Sequence, residues 1–383
     1  MKYGIVVIGY NRCSTIRRLL DKLNEAEYFG DEVLLIISID KSDVKEVYTL
    51  ANEFEWKHGD CVKRFHEEKM GLRNHVLKCG GYMEEYDLDA IAVFEDDIYP
   101  SPAFYNYMKQ AVEQYQNSNL VAGISLYTHL WNADAELPFQ PDYNGKDAYF
   151  LRYAPSWGQI WMRKQWNAFI SWYETYQGTL TPEMGIPENA CKWPESSWLK
   201  YHITYCIANK KYFVYPYEAL ATCFNEVGTH TEKPCNIFQV PIVQKGREKY
   251  SFPEEDNIQL SYDAFYEREQ VSKWLKIPSE DICIDLYGRK AATNNKRYLL
   301  TTKRYPYKIV KSYGMQMRPH EVNILENIPG TDIILYDLQE RDKLVKTEID
   351  AMVYYFRIIR SKFWFMKYGF FSGIKKLMRI LNL

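Results

Sequence analysis

The 383-residue chain has no C-x-x-C pair. Its eight cysteines, scattered from Cys13 to Cys283, therefore lack the usual zinc and dithiol spacings and read as reduced thiols of a cytosolic protein. Nowhere does it reach the roughly 18 uninterrupted apolar residues that a bilayer-crossing helix needs. The first apolar run, Gly4 to Gly9, is too short for a signal peptide and reads as a strand. Internal repeats and low-complexity tracts are missing, as is an arginine-rich or RNA-binding signature. With 48 Lys+Arg against 50 Asp+Glu, nothing draws the chain globally to a polyanion, so nucleic acid is not an expected partner. No glycine-rich phosphate loop lies near the N-terminus, which counts against a sugar-nucleotide nucleotidyltransferase.

What is present is ordinary for a globular chain in one respect and unusual in another. Hydrophobic residues at 46% and charged residues at 26% exclude a mostly disordered protein. Aromatics reach 16%, with 33 Tyr and 10 Trp. Such a surplus either grips the apolar faces of sugars from exposed positions or fills aromatic-rich cores. The length calls for more than one unit.

The first hundred residues alternate strand and helix signals. Ile5-Val6-Val7-Ile8 is a buried strand, Ser14 to Leu23 has helical spacing, and Val33 to Ile39 is a second apolar run ending at Asp40. A further helical stretch follows Ser42, and Ala90 to Phe94 is a strand closed by Glu95-Asp96-Asp97. This alternation predicts an α/β fold with a mostly parallel sheet flanked by helices. Ligands of such sheets bind beyond the carboxyl ends of the strands, so Tyr10-Asn11-Arg12, Asp40 and Glu95-Asp96-Asp97 should be neighbours. Consecutive carboxylates repel, and a divalent cation would relieve that cost; a solvated acidic loop capping the next helix is the plainer alternative.

Residues 1–250 are assigned to this domain. The polar stretch around Ser251 to Asp256 is read as a linker, and 251–340 as a smaller α+β domain with a helix over Tyr262 to Leu275 and a strand over Asp332 to Leu338. Residues 341–383 form a basic amphipathic tail. Ala351 to Leu383 carries seven Lys/Arg and no Asp or Glu, interleaved with rings such as Phe363, Trp364 and Phe371. That mixture fits a helix lying on an anionic membrane surface; docking on the acidic remainder of the chain, or on a second subunit of a homo-oligomer, is the alternative.

Ile5 to Leu23, with Tyr10-Asn11-Arg12-Cys13-Ser14-Thr15 at its centre, resembles the first strand and helix of N-acetylglucosaminyltransferase I and its bacterial relatives. Ser38-Ile39-Asp40 is similar to their second strand end, and Val93 to Ile98 with Pro102 to Tyr105 resembles their metal motif and following helix. Gly123-Ile124-Ser125 and Ser156-Trp157-Gly158 follow in the expected order. The resemblance covers roughly residues 3 to 232 and implies a GT-A, Rossmann-like glycosyltransferase. It implies that Arg12 contacts donor phosphates, Asp40 the nucleoside, Glu95 and Asp96 the donor's sugars, and that Trp157 and Gly158 belong to the donor site. Asp97 would be the main protein ligand of Mn²⁺ or Mg²⁺.

Gly71-Leu72-Arg73-Asn74 matches a nucleotide-side loop loosely and reads equally as a helix N-terminus. Relatives carry their catalytic base in a Trp-Asp pair. The counterpart here, Trp193-Pro194-Glu195-Ser196-Ser197-Trp198, is altered, leaving Glu195 as the candidate, with Glu188 and Glu183 as alternatives. His230, in Gly228-Thr229-His230, is a candidate second metal ligand or phosphate donor. The resemblance thus implies a UDP-sugar donor and a glycan or lipid-linked acceptor. With the tail, it suggests a bacterial surface-polysaccharide enzyme at the inner face of the membrane. A non-catalytic binding protein on the same fold is the rival, because of the altered Trp-Asp pair.

Overall fold

The computed structural model describes residues 1–226, 236–256, 258–291, 295–343 and 370. Four strands and four helices open the chain: β1 (Tyr3–Gly9), α1 (Cys13–Glu25), β2 (Leu34–Ile39), α2 (Lys45–Glu53), β3 (Cys61–Phe65), α3 (Gly71–Gly80), the short α4 (Tyr82–Glu85) and β4 (Ala90–Glu95). They form one end of a nine-stranded sheet. From its far edge the order is Ser261–Tyr262, Ala148–Leu151, Tyr212–Pro216, Val121–Ser125, Gln159–Met162, β4, β1, β2 and β3. Most of its pairings are parallel. Gln159–Met162 runs against both its neighbours, so its first residue lies beside the carboxyl end of β4.

The continuous apolar runs are explained by burial on both faces. Side chains alternate along a strand, so Ile5 and Val7 of β1 enter one core with Ile16, Leu19, Leu20 and Leu23 of α1. Val6 and Ile8 enter the other, with Val76 and Cys79 of α3. Gly9 is required at the end of β1: a Cβ there would sit 2.8 Å from Cδ1 of both Ile16 and Ile39.

The aromatic surplus is largely structural. The largest fully buried side chains are all aromatic, among them Trp161, Tyr82, Tyr107, Tyr149 and Phe94. His202 is enclosed with them. Its ring stacks on Phe169 at 4.1 Å, and neither ring nitrogen has a partner among the described residues. Burial pushes this imidazole down from 6.5 to about 3. Between those values the unfolded chain binds the proton and the folded one does not, so this group's contribution to stability is complete above pH 6.5 and declines as pH falls towards 3. His202→Leu should therefore raise the melting temperature more at pH 5 than at pH 8, as measured by calorimetry.

Two expectations need correction. The stretch at Ser251 to Asp256 is no linker: Phe252 is buried in the main core and Tyr115 donates its hydroxyl to the Pro253 carbonyl at 2.6 Å. Tyr262 to Leu275 is not one helix. Ser261–Tyr262 is a strand added beside Ala148–Leu151, Asp263 turns the chain by accepting the N–H groups of Phe265 and Glu267, and only Val271–Leu275 is helical. The large sheet thus extends to residue 262. Of the two readings open for Gly71-Leu72-Arg73-Asn74, the helix start is the one observed.

A second sheet follows, with Ile282–Asp285, Tyr298–Thr301, Ile333–Arg341 and Tyr307–Tyr313 in that order. Its last long strand covers the one expected from Asp332. Val271, Leu300, Ile324 and Leu335 are in its own small core. Of the tail, residues 344–369 and 371–383 lie outside the described residues. No described helix is long and apolar enough to cross a membrane.

Candidate functional site

Parallel register aligns the ends of three strands: Ile8 pairs with Glu95, and Gly9 with Ile39. Arg12, Asp40 and Glu95-Asp96-Asp97 are consequently delivered to one edge of the sheet. Arg12 does not pair with the nearby acids of its own helix. Its Nε donates to Asp96 Oδ2 at 3.2 Å, Nη2 donates to Asp96 Oδ1, and Nη2 also reaches Asp97 Oδ2 at 3.2 Å. Asp96 is only 6% exposed, whereas the Asp97 side chain is 38% exposed. One acid is committed inward to the guanidinium while the other keeps a face open to ligand.

Crowding tunes these acids. Burial, with repulsion from Asp97 and Asp96, pushes the Glu95 carboxyl up to about 8, while the facing Trp198 indole and Arg12 pull the other way. This crowding favours the protonated form of Glu95, which can donate a hydrogen bond as well as accept one. Asp96 is raised to about 6 by burial, which the Arg12 contacts oppose.

Asp40 is buried and already engaged. Its Oδ1 accepts the N–H groups of Lys41 at 2.8 Å and Met70 at 2.9 Å, and Oδ2 accepts Gly71 N–H at 2.9 Å. It fixes the start of α3 against the end of β2. Behind it lies a polar cluster that the sequence pattern did not reveal: the Ser38 hydroxyl meets His75 Nε2 at 2.8 Å, His66 Nε2 at 3.1 Å and the Tyr82 hydroxyl at 3.2 Å.

On the other side, Trp157 stacks on Phe238 at 5.1 Å and stays partly exposed. Gly158 follows with φ +90°, and a Cβ there would approach Ala221 Cβ to 3.0 Å. The short strand Ala221–Cys223 pairs with Ile98–Pro100, and Phe224 N–H donates to the Asp97 carbonyl at 3.2 Å. Arg18 grips Glu226 through both nitrogens, at 2.6 and 3.0 Å, and lies 3.3 Å over the Phe224 ring. The segment leading towards His230 is thereby tied to α1; His230 itself lies outside the described residues.

Glu195 is solvent-exposed at 77%. Its Oε1 accepts Lys200 Nζ at 2.6 Å, its Oε2 accepts the Tyr201 hydroxyl at 2.9 Å, and Arg73 Nη1 lies 3.5 Å away. The Lys200 and Tyr201 hydrogen bonds hold this carboxyl below its usual range. Trp198, buried beside Trp161 at 5.6 Å, faces Glu95 and joins the Glu195 segment to the strand end. Its only advance signal was its place in the altered Trp-rich motif.

Among the described residues no group of three or more His, Cys, Asp or Glu side chains is assembled as a metal site. Two carboxylates at a strand end, already balanced by a guanidinium, do fit an ion such as Mg²⁺ or Mn²⁺. Such ions take one or two protein carboxylates and complete their shell from phosphate and water oxygens.

No protein-family model and no curated protein matches this chain. Among solved structures it is similar to the mannosyltransferase PcManGT from Pyrobaculum calidifontis in complex with GDP-Man and Mn2+, at 13% identity over 56% of each chain with a TM-score of 0.35. It is also similar to S. aureus TarS 1-349 in complex with UDP-GlcNAc, at 13% identity over 60% of each chain with a TM-score of 0.39. The matches span little more than half of those chains. At these TM-scores the functional reading rests on the residues themselves.

Proposed function

We propose that this chain is a metal-dependent, inverting glycosyltransferase of the GT-A type. It would move a sugar from a UDP-sugar, UDP-GlcNAc or a close relative, to a hydroxyl of a glycan or lipid-linked acceptor. The observation that carries the reading is the Arg12–Asp96–Asp97 cluster at the shared edge of β1, β2 and β4.

Asp97 is the ligand of the ion, with His230 as the second candidate. When bound, the ion supplies positive charge against the leaving diphosphate. Arg12 turns one arm of its fork from Asp97 to a phosphate oxygen, beside the N-terminus of α1, which favours anions. Asp40 meets the nucleoside. Glu95 and Asp96 hydrogen-bond donor hydroxyls, and the Trp157 face packs against the donor. Glu195, kept ionised by its neighbours, accepts the proton of the acceptor hydroxyl as that oxygen attacks the anomeric carbon opposite the diphosphate, inverting configuration. The tail, 351–383, holds the enzyme on the inner face of a bacterial cell membrane during surface-polysaccharide assembly.

The test is Mn²⁺-dependent release of UDP from a panel of UDP-sugars. Glu195→Gln should lower kcat by about 10²-fold or more while leaving the donor KM nearly unchanged; full activity would move the base to another acid, with Glu188 and Glu183 next in line. A non-catalytic nucleotide-sugar-binding protein is the second reading, favoured by the three partners that already occupy Glu195. It requires a Mn²⁺-dependent thermal shift with UDP-sugars but no UDP release.

A further inference from the structure

A cavity of about 550 Å³ is lined by Glu183 of the large domain together with Asp285, Lys290, Tyr305, Tyr307 and Leu338 of the second unit. Its volume falls in the usual range for small-ligand sites. The polar groups around it are arranged unequally. Asp285 is only 3% exposed and commits Oδ1 to the N–H groups of Arg289 and Lys290, at 2.7 and 3.0 Å. Among the described residues no donor is recorded on its Oδ2. Lys290 is the opposite case: its ammonium donates to Asp263 Oδ2 at 2.6 Å and to the Ile284 carbonyl.

The cavity therefore offers an acceptor oxygen beside an ammonium that is already engaged, with the Lys303 charge also bearing on Asp285. Tyr305, Tyr307 and Leu338 are partly exposed and supply apolar surface, with the Arg341 guanidinium 6.0 Å from the Tyr307 ring centroid. A carboxylate oxygen for hydroxyl donors beside two phenol rings suits a neutral saccharide, whose hydroxyls donate and whose C–H faces stack on rings. One lining residue is joined to the strand-end site through the chain. Glu183 begins the segment that continues through Glu195 to Trp198, which faces Glu95.

We infer that this cavity is a saccharide subsite. Resting on the function proposed above, it takes the part of the acceptor glycan remote from the reacting hydroxyl, so that the second unit serves acceptor choice while the large domain handles the donor.

The full chain would be titrated by calorimetry with short chito-, cello- and malto-oligosaccharides. In parallel, the thermal shift given by UDP with Mn²⁺ would be recorded. The expected result is binding of at least one series, weakened about tenfold or more by Tyr307→Ala and by Asp285→Asn, with the UDP shift unchanged in both variants. Tyr307 is partly exposed, so its truncation tests the site even where Asp285→Asn perturbs the fold. Absence of binding by every series, or binding that survives both substitutions, overturns the subsite. If UDP and Mn²⁺ give no shift in the unaltered chain, the donor reading fails separately, and the saccharide titration alone decides whether the cavity binds sugar.

Discussion

Asp97→Ala is expected to lower Mn²⁺-dependent UDP release by roughly a hundredfold or more and to abolish the thermal shift that UDP gives with Mn²⁺. The ligand-free protein should be no less stable. Asp97 is partly exposed and its charge repels Glu95, so its removal relieves strain among the three acids and leaves Asp96 paired with Arg12. Retained fold with lost metal response separates a ligand of the ion from a structural acid. Undiminished activity would remove Asp97 from the site altogether.

Trp161→Ala should have the largest effect on stability, about 3–5 kcal/mol in urea or guanidinium unfolding. Trp161 is fully buried, lies 3.9 Å from Trp166 in a near-parallel stack, meets Trp198 edge-on at 5.6 Å and donates its indole N–H to Gln159 Oε1 at 2.5 Å. Truncation opens a cavity and leaves that amide oxygen unpaired. It also removes the wall against which Trp198 is held towards Glu95. A loss below 1 kcal/mol would mean that neighbouring rings collapse into the gap.

The strand ends could be read from sequence because a parallel sheet buried on both faces writes its strands as unbroken apolar runs, and Ile5 to Ile8 and Ala90 to Phe94 are such runs. Position along those runs then places Arg12, Asp40 and Asp97 together without knowledge of any side-chain contact. The contacts themselves could not be read. Arg12 has carboxylates nearer in sequence at Asp21 and Asp31, yet pairs with Asp96, 84 positions away; that choice is made by sheet order, which local pattern does not carry. Phe252 looked like part of a polar linker because a single buried ring between charged residues leaves no periodicity. The helix expected from Tyr262 failed because a two-residue edge strand is too short to show alternation, and the turn at Asp263 is made by side-chain to backbone bonds. Trp198 was visible as part of a motif, but nothing in the sequence connects it to Glu95.

Asp40 has a consequence for binding entropy. Its carboxylate is locked by the N–H groups of Lys41, Met70 and Gly71 before any ligand arrives. An unheld acid would lose about 0.5–1.5 kcal/mol of rotamer freedom on engaging a partner; here that loss is incurred at folding. A ligand at this edge meets a preorganised carboxylate. The same bonds fix the first turn of α3, from which Arg73 reaches Glu195, so the atoms that rigidify Asp40 also anchor the helix that holds a cation beside Glu195.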